Sequence, residues 1–124
     1  MRSPHRFIYA ATLFWGLNIC AVANPLSGEQ LYDIACQACH SLGHEADHRV
    51  GTPLGNLQNR TAAIVQDFQY SQVLIESGWI WTLPTLTAWI SDPDIALPNN
   101  AMNYVNALTA EETLRLSEWL LRQP

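Results

Sequence analysis

Cys36, Cys39 and His40 stand nearest to chemistry in this chain, as Cys36-Gln37-Ala38-Cys39-His40. Thiols three positions apart on a helix lie one turn from each other on the same face. Both can then reach the two vinyl groups along one side of a porphyrin, and the histidine that follows is swung beneath the ring. C-x-x-C-H is accordingly a sequence for covalent attachment of c-type haem, with the histidine Nε2 as proximal iron ligand. Three other uses of these residues are weaker. A Cys36–Cys39 disulfide would staple a single turn. A thioredoxin-like pair would want a preceding strand, and the segment before Cys36 reads as helix. Zinc held by Cys36, Cys39, His40 and His44 has suitable ligand types, but no second Cys or His pair lies at a zinc-ribbon distance.

A histidine-ligated iron in an electron carrier takes a second axial ligand. Beyond Met1 the chain has one methionine, Met102, in a Pro-containing loop 62 residues after His40. Met102 is the expected ligand, and His/Met ligation raises the reduction potential relative to two histidines. His44 and His48 follow His40 too closely to cross to the opposite face of the ring. Beside Glu45 and Asp47 they read as a solvated loop.

Short helices must position these groups. Ser27-Gly28-Glu29-Gln30 is a capping box, and Leu31, Ile34 and Ala35 continue an apolar helical face to Cys36. Ser41 to Leu57 holds four Gly/Pro residues and reads as a long loop. Ser71 to Ser77 predicts a short helix stopped by Gly78. Pro84 suits the first turn of a helix reaching about Ser91, which Pro93 ends. Leu97 to Asn106 is an Asn-rich loop. Thr109-Ala110-Glu111-Glu112 is a second capping box before a helix bearing Leu114, Leu116, Trp119, Leu120 and Leu121. Strand signals are poor throughout. The expected fold is all-α, with loops long enough to need a large apolar cofactor to pack on.

The first 23 residues read as a cleaved secretory signal. Arg2 and Arg6 precede an apolar run, Phe7 to Ala23, that ends in Ala21-Val22-Ala23. A retained anchor is the alternative, and at 17 residues the run sits at the lower limit for spanning. Cys20 suits lipidation poorly, because Ile19 is too large for the small residue expected before it. Residues 24–124 then form one exported domain. Cleavage removes two Arg and no acid, so the formal charge of −5 becomes −7. Charged residues make up 14% of the chain, against a usual share of about 25%. The six basic residues are all Arg, with no Lys. There is no basic face for nucleic acid.

From Gly28 to Leu121 the chain resembles the class I c-type cytochromes of the mitochondrial and bacterial c2-like kind. The carrying stretches are Cys36–His40, Val50-Gly51-Thr52-Pro53-Leu54-Gly55-Asn56-Leu57, Arg60, Phe68-Gln69-Tyr70-Ser71, Ser77-Gly78-Trp79-Ile80-Trp81 and Leu97-Pro98-Asn99-Asn100-Ala101-Met102. The resemblance implies the cytochrome c fold around one covalently attached haem c. It implies that the Pro53 carbonyl accepts the Nδ1 proton of His40, and that Arg60, Tyr70 and Trp81 hydrogen-bond the haem propionates. Trp79 and Trp89 are rivals for the last role, and Trp81 has a plain packing alternative. Tyr104 is implied beside the haem edge. Gly28 and Tyr32 are implied to meet Leu116 and Trp119 where the first helix crosses the last. The family's Pro-Gly-Thr-Lys-Met loop departs here to Pro98-Asn99-Asn100-Ala101-Met102. Asn99 in place of Gly needs a left-handed backbone, Asn100 stands in for the propionate-binding Thr, and the docking lysine is missing.

These readings imply a periplasmic carrier of single electrons, a monomer, with no membrane span after cleavage. Its redox partners are expected to present a basic or neutral docking face, since the carrier is acidic. The haem subunit of a periplasmic sulfite or alcohol dehydrogenase is the rival reading, favoured if Trp79, Trp89 or Trp119 form an exposed patch. A ligand sensor or peroxidase would need an open iron site, against which Met102 argues.

Overall fold

The computed structural model describes residues 23–43 and 50–124. The signal reading, apart from Ala23, lies outside these residues, as do His44 and His48. Among the described residues there are five helices: α1 (Gly28–Ala35), α2 (Gln72–Glu76), α3 (Leu83–Ser91), α4 (Pro93–Ala96) and α5 (Ala110–Leu120). Their extended pairing is a single antiparallel bridge between Thr61 and Ile80. The all-α expectation is borne out.

Local chemistry sets the ends of these helices. At α1 the Gln30 N–H donates to Ser27 Oγ (3.2 Å), and the Ser27 N–H donates back to Gln30 Oε1 (2.9 Å). At α5 Thr109 and Glu112 repeat the reciprocal pair. Such a cap is worth about 1 kcal/mol against alanine. Thr109 also holds the Glu112 carboxyl below the usual carboxylate range, its backbone N–H contributing most. Gly78 ends the α2 region at φ 63°, and Asn99 adopts φ 65°, the left-handed conformation expected of it. One element was missed. Pro93 does not simply end α3 but opens α4, with Asp92 as its cap, accepting from the Ile95 N–H at 3.0 Å.

Helices α1 and α5 cross and hold the core between them, with Leu31, Leu116 and Leu120 buried. The close approach needs Gly28. A Cβ there would fall inside the Cβ and Cγ of Trp119. Tyr32 packs on the same indole with ring centroids 5.7 Å apart. Gly28→Ala is therefore expected to destabilise the protein by roughly 2–3 kcal/mol through overpacking, read as a lower midpoint in thermal unfolding. An unchanged midpoint would mean that the crossing can widen freely.

Segment 59–62 runs against 79–81. The Trp81 N–H donates to the Arg60 carbonyl (2.9 Å), the Asn59 N–H to the Trp81 carbonyl (2.9 Å) and the Ala62 N–H to the Trp79 carbonyl (2.8 Å). This pairing sets Arg60 and Trp81 side by side on one wall of the interior.

Candidate functional site

Helix α1 ends in the motif itself. The Cys36 N–H bonds to the Tyr32 carbonyl (2.8 Å), and the Cys39 and His40 N–H groups both turn back to the Cys36 carbonyl, at 3.0 and 2.9 Å. The Tyr32 hydroxyl donates to the His40 carbonyl at 2.8 Å, tying the end of the motif to the helix before it. Cys36 and Cys39 are both free thiols. Burial, with Cys39 adding to it, pushes the Cys36 thiol up to about 12, so it stays protonated.

His40 Nδ1 lies 2.7 Å from the Thr52 carbonyl oxygen. A carbonyl can only accept, so Nδ1 carries the ring proton and Nε2 is left with a bare lone pair. Burial lowers the His40 pKa, and the bond to Thr52 opposes that shift. The acceptor is a correction to the expectation for Pro53, which sits one residue further on. Proline confines the preceding residue to extended backbone, fixing where the Thr52 carbonyl points. The Pro53 carbonyl instead accepts from Arg60 Nη2 at 3.2 Å. Gly51 completes the arrangement. Its N–H donates to the Cys39 carbonyl (2.8 Å), and a Cβ on it would overlap the imidazole. Neither Gly51 nor Thr52 was assigned a role from sequence, although a glycine in the stretch after the motif was the available signal.

Above His40 opens a cavity of about 330 Å³. Cys36, Cys39 and His40 form one part of its wall, and Ala101, Met102, Asn103 and Tyr104 another. Leu57, Leu74, Leu86, Trp89 and Ile90 supply apolar surface between them. Arg60, Tyr70 and Trp81 also line it. Of the expected residues, then, Cys36, Cys39, His40, Arg60, Tyr70, Trp81, Met102 and Tyr104 meet at one cavity. Trp89 joins Trp81 there, the rings 5.8 Å apart, whereas Trp79 stands behind both and does not line the cavity.

The polar groups differ in what they have left to offer. Arg60 is half-buried, with Nη1 donating to the Gly55 carbonyl (2.8 Å) and Nη2 to Pro53. Burial lowers its pKa and Tyr70 opposes that shift. Guanidinium has five N–H donors, so these two bonds leave others for a ligand. The Tyr70 hydroxyl accepts from the Val65 N–H at 3.3 Å and keeps its own proton to donate. The Tyr104 hydroxyl is engaged with Asn106 Oδ1 at 3.0 Å. Burial raises its pKa, and Cys36 adds to that.

Asn100 stands apart from these groups. It does not line the cavity. Its amide nitrogen is turned into its own loop, toward the Pro93 carbonyl (3.0 Å), the Leu97 carbonyl (3.0 Å) and Asp94 Oδ1 (3.2 Å). In this structure those acceptors take up the amide N–H groups that the resemblance assigns to a propionate.

These residues fit a covalently attached haem. Two free thiols one turn apart, a histidine whose tautomer bares Nε2, and a methionine from a distant loop share one apolar cavity, with Arg60, Tyr70 and Trp81 lining it as well. No helix among the described residues is long and apolar enough to cross a membrane.

No protein-family model matches the chain. Among curated proteins it is similar to the cytochrome c2 of Rhodomicrobium vannielii, at 27% identity over 113 residues, covering 91% of this chain and 90% of the relative. With cytochrome c2 iso-2 of Magnetospirillum molischianum it shares 32% identity over 85 residues, covering 68% of this chain and 87% of the relative. With the cytochrome c2 of Afifella marina it shares 33% over 89 residues, covering 69% and 71%.

Proposed function

This chain belongs to the class I, cytochrome c2-like family, and from that premise we propose that it is a periplasmic monohaem carrier of single electrons, its iron held between His40 and Met102. One observation carries the proposal: Cys36, Cys39, His40 and Met102 all line a single apolar cavity. Bound there, the haem supplies one-electron Fe(II)/Fe(III) chemistry. The chain does the rest. Cys36 and Cys39 hold the group by thioethers. His40 offers Nε2, with Thr52 holding the ring at the right angle and strengthening it as a donor to the metal. Met102, on another part of the same wall, would supply the iron's second ligand and leave no position for a substrate. Leu57, Leu74, Leu86 and Ile90 exclude water, and Arg60, Tyr70, Trp81 and Trp89 offer donors to the propionates, which would be costly to bury without them.

The pyridine haemochrome of the exported protein tests this directly. A two-thioether spectrum with one haem per chain is expected, and a spectrum lacking haem would sink the proposal.

Contact with partners falls to the cavity mouth. Val50 is 78% exposed there, and Cys39 and Ala101 are exposed beside it. Apart from Arg60, which is turned inward, no cavity-lining residue is an acid, Lys or Arg. The mouth among the described residues is therefore neutral on an acidic molecule. Docking of the size typical of redox encounters, below about 1,200 Å², follows. The partner is a redox protein whose docking face is neutral or basic. Its electron-transfer rate with a basic-faced partner is expected to fall roughly tenfold between low and high ionic strength, as screening removes attraction. A rate that rises with salt in stopped-flow kinetics would refute that assignment. Trp89 is buried and Trp79 and Trp119 are half-buried, so these three do not form the exposed patch that would favour a permanent dehydrogenase subunit.

A further inference from the structure

We propose that Asn100 is the positioning residue that keeps Met102 turned into the cavity, a latch between α4 and the loop that carries the methionine. The proposal rests on the reading of Met102 as iron ligand.

The side chain works at both of its ends. Its Oδ1 accepts from the Met102 N–H at 2.7 Å. Its Nδ2 reaches back across α4, to the Pro93 and Leu97 carbonyls at 3.0 Å each, with Asp94 Oδ1 at 3.2 Å. The partners leave no choice of amide orientation, since a flipped amide would set its oxygen against three other oxygens and its nitrogen against an N–H. The Leu97 N–H already takes the Pro93 carbonyl at 2.9 Å, so Asn100 joins a turn that is closed on itself. Pro93 is buried, which anchors that turn to the core.

Just before the methionine, Asn100 is the residue that ties the loop to α4. Pro98, Asn99 and Ala101 are exposed, and Asn99 sits in the left-handed region, so the backbone reverses there without core contacts of its own. After the methionine, the Tyr104 N–H donates to the Met102 carbonyl (2.9 Å), and Asn106 ties Tyr104 toward Thr113 of α5. Met102 therefore hangs between two side-chain amides. Of the two amides, Asn100 is the one that bonds the methionine's own backbone, and it links that bond to the buried start of α4.

The consequence is a closed–open equilibrium of the loop that Asn100 holds far to the closed side. A small ligand for the ferric iron binds only when Met102 has left, so its apparent affinity is reduced by the fraction of molecules that are open. Losing several hydrogen bonds at once should raise that fraction about ten- to a hundredfold.

The test is imidazole titration of the ferric holoprotein, followed by the haem spectrum, with Asn100→Ala, Asn100→Asp and Met102→Ala beside the parent. Asn100→Ala should bind imidazole about ten- to a hundredfold more tightly while its circular dichroism stays native. Asn100→Asp keeps an oxygen for the Met102 N–H but loses the donors to α4, so it should shift in the same direction. Affinity within twofold of the parent for either Asn100 variant, with Met102→Ala binding tightly, overturns the latch. If Met102→Ala itself binds no more tightly than the parent, the ligand reading fails instead. A residue that merely stabilised the fold would lower the unfolding midpoint and leave imidazole affinity under native conditions unmoved.

Discussion

The double variant Cys36→Ser, Cys39→Ser is expected to be largely unfolded at room temperature. Serine forms no thioether, so the haem is no longer covalently held. The cavity it leaves, about 330 Å³, is large and mostly apolar. At about 24 cal/mol per Å³ an empty space of that size costs about 8 kcal/mol. The whole stability of a domain this small is about 5–15 kcal/mol. The core that remains is a thin one, chiefly the α1–α5 crossing with Trp81, Trp89 and Ile90 of the cavity wall. Far-UV circular dichroism should lose most of its helical signal, and heating should give no cooperative transition. A haem-free double variant that melted cooperatively near the parent's midpoint would show that the helices hold one another without the cofactor.

Met102→Ala is the second large effect, and it acts on chemistry rather than folding. The weak far-red absorption band of the ferric protein should vanish, because it reports sulfur on iron. Carbon monoxide should bind the reduced variant within seconds, whereas the parent should not bind it on that timescale. Exchange of a thioether for water or an oxygen ligand should also favour the ferric state by roughly a hundredfold, about 120 mV at 59 mV per factor of ten for one electron. The fold is expected to survive, since Met102 is only half-buried and its loop is held through Asn100 and Asn106. Retention of the far-red band in the variant would exclude Met102 as the ligand.

The parts of this site that sequence made legible are those whose chemistry is fixed by residue type and spacing. Two thiols and a histidine at C-x-x-C-H spacing have few uses, and a lone methionine far along the chain has fewer. Helix ends were equally readable at Ser27 and Thr109, because a capping box is a local contract between two residues three apart. The errors arose where a backbone atom or a competing partner decides the outcome. Any residue can supply a carbonyl, so side-chain identity does not say whether Thr52 or Pro53 faces His40. Pro53 drew the assignment by position, and the extended backbone it imposes on Thr52 aims the preceding carbonyl instead. At Asn100 the amide meets two carbonyls at 3.0 Å, both from α4 and its cap, a helix that residue types alone do not announce.

The crossing of α1 over α5 has a consequence for the order in which the chain can fold. Arg115 Nη1 reaches the Leu26 carbonyl across 89 residues, at 3.2 Å. Closing a loop of that length costs about 4 kcal/mol of chain entropy before any contact repays it. The first helix has no apolar surface to lie on until the last has been made, and isolated helices as short as these are marginal in water. A nascent chain that has not yet reached Ala110 therefore lacks the α1–α5 crossing and stays unfolded. Under the proposed periplasmic reading, that unfolded form is the one that could be threaded through a membrane channel and meet its cofactor on the far side.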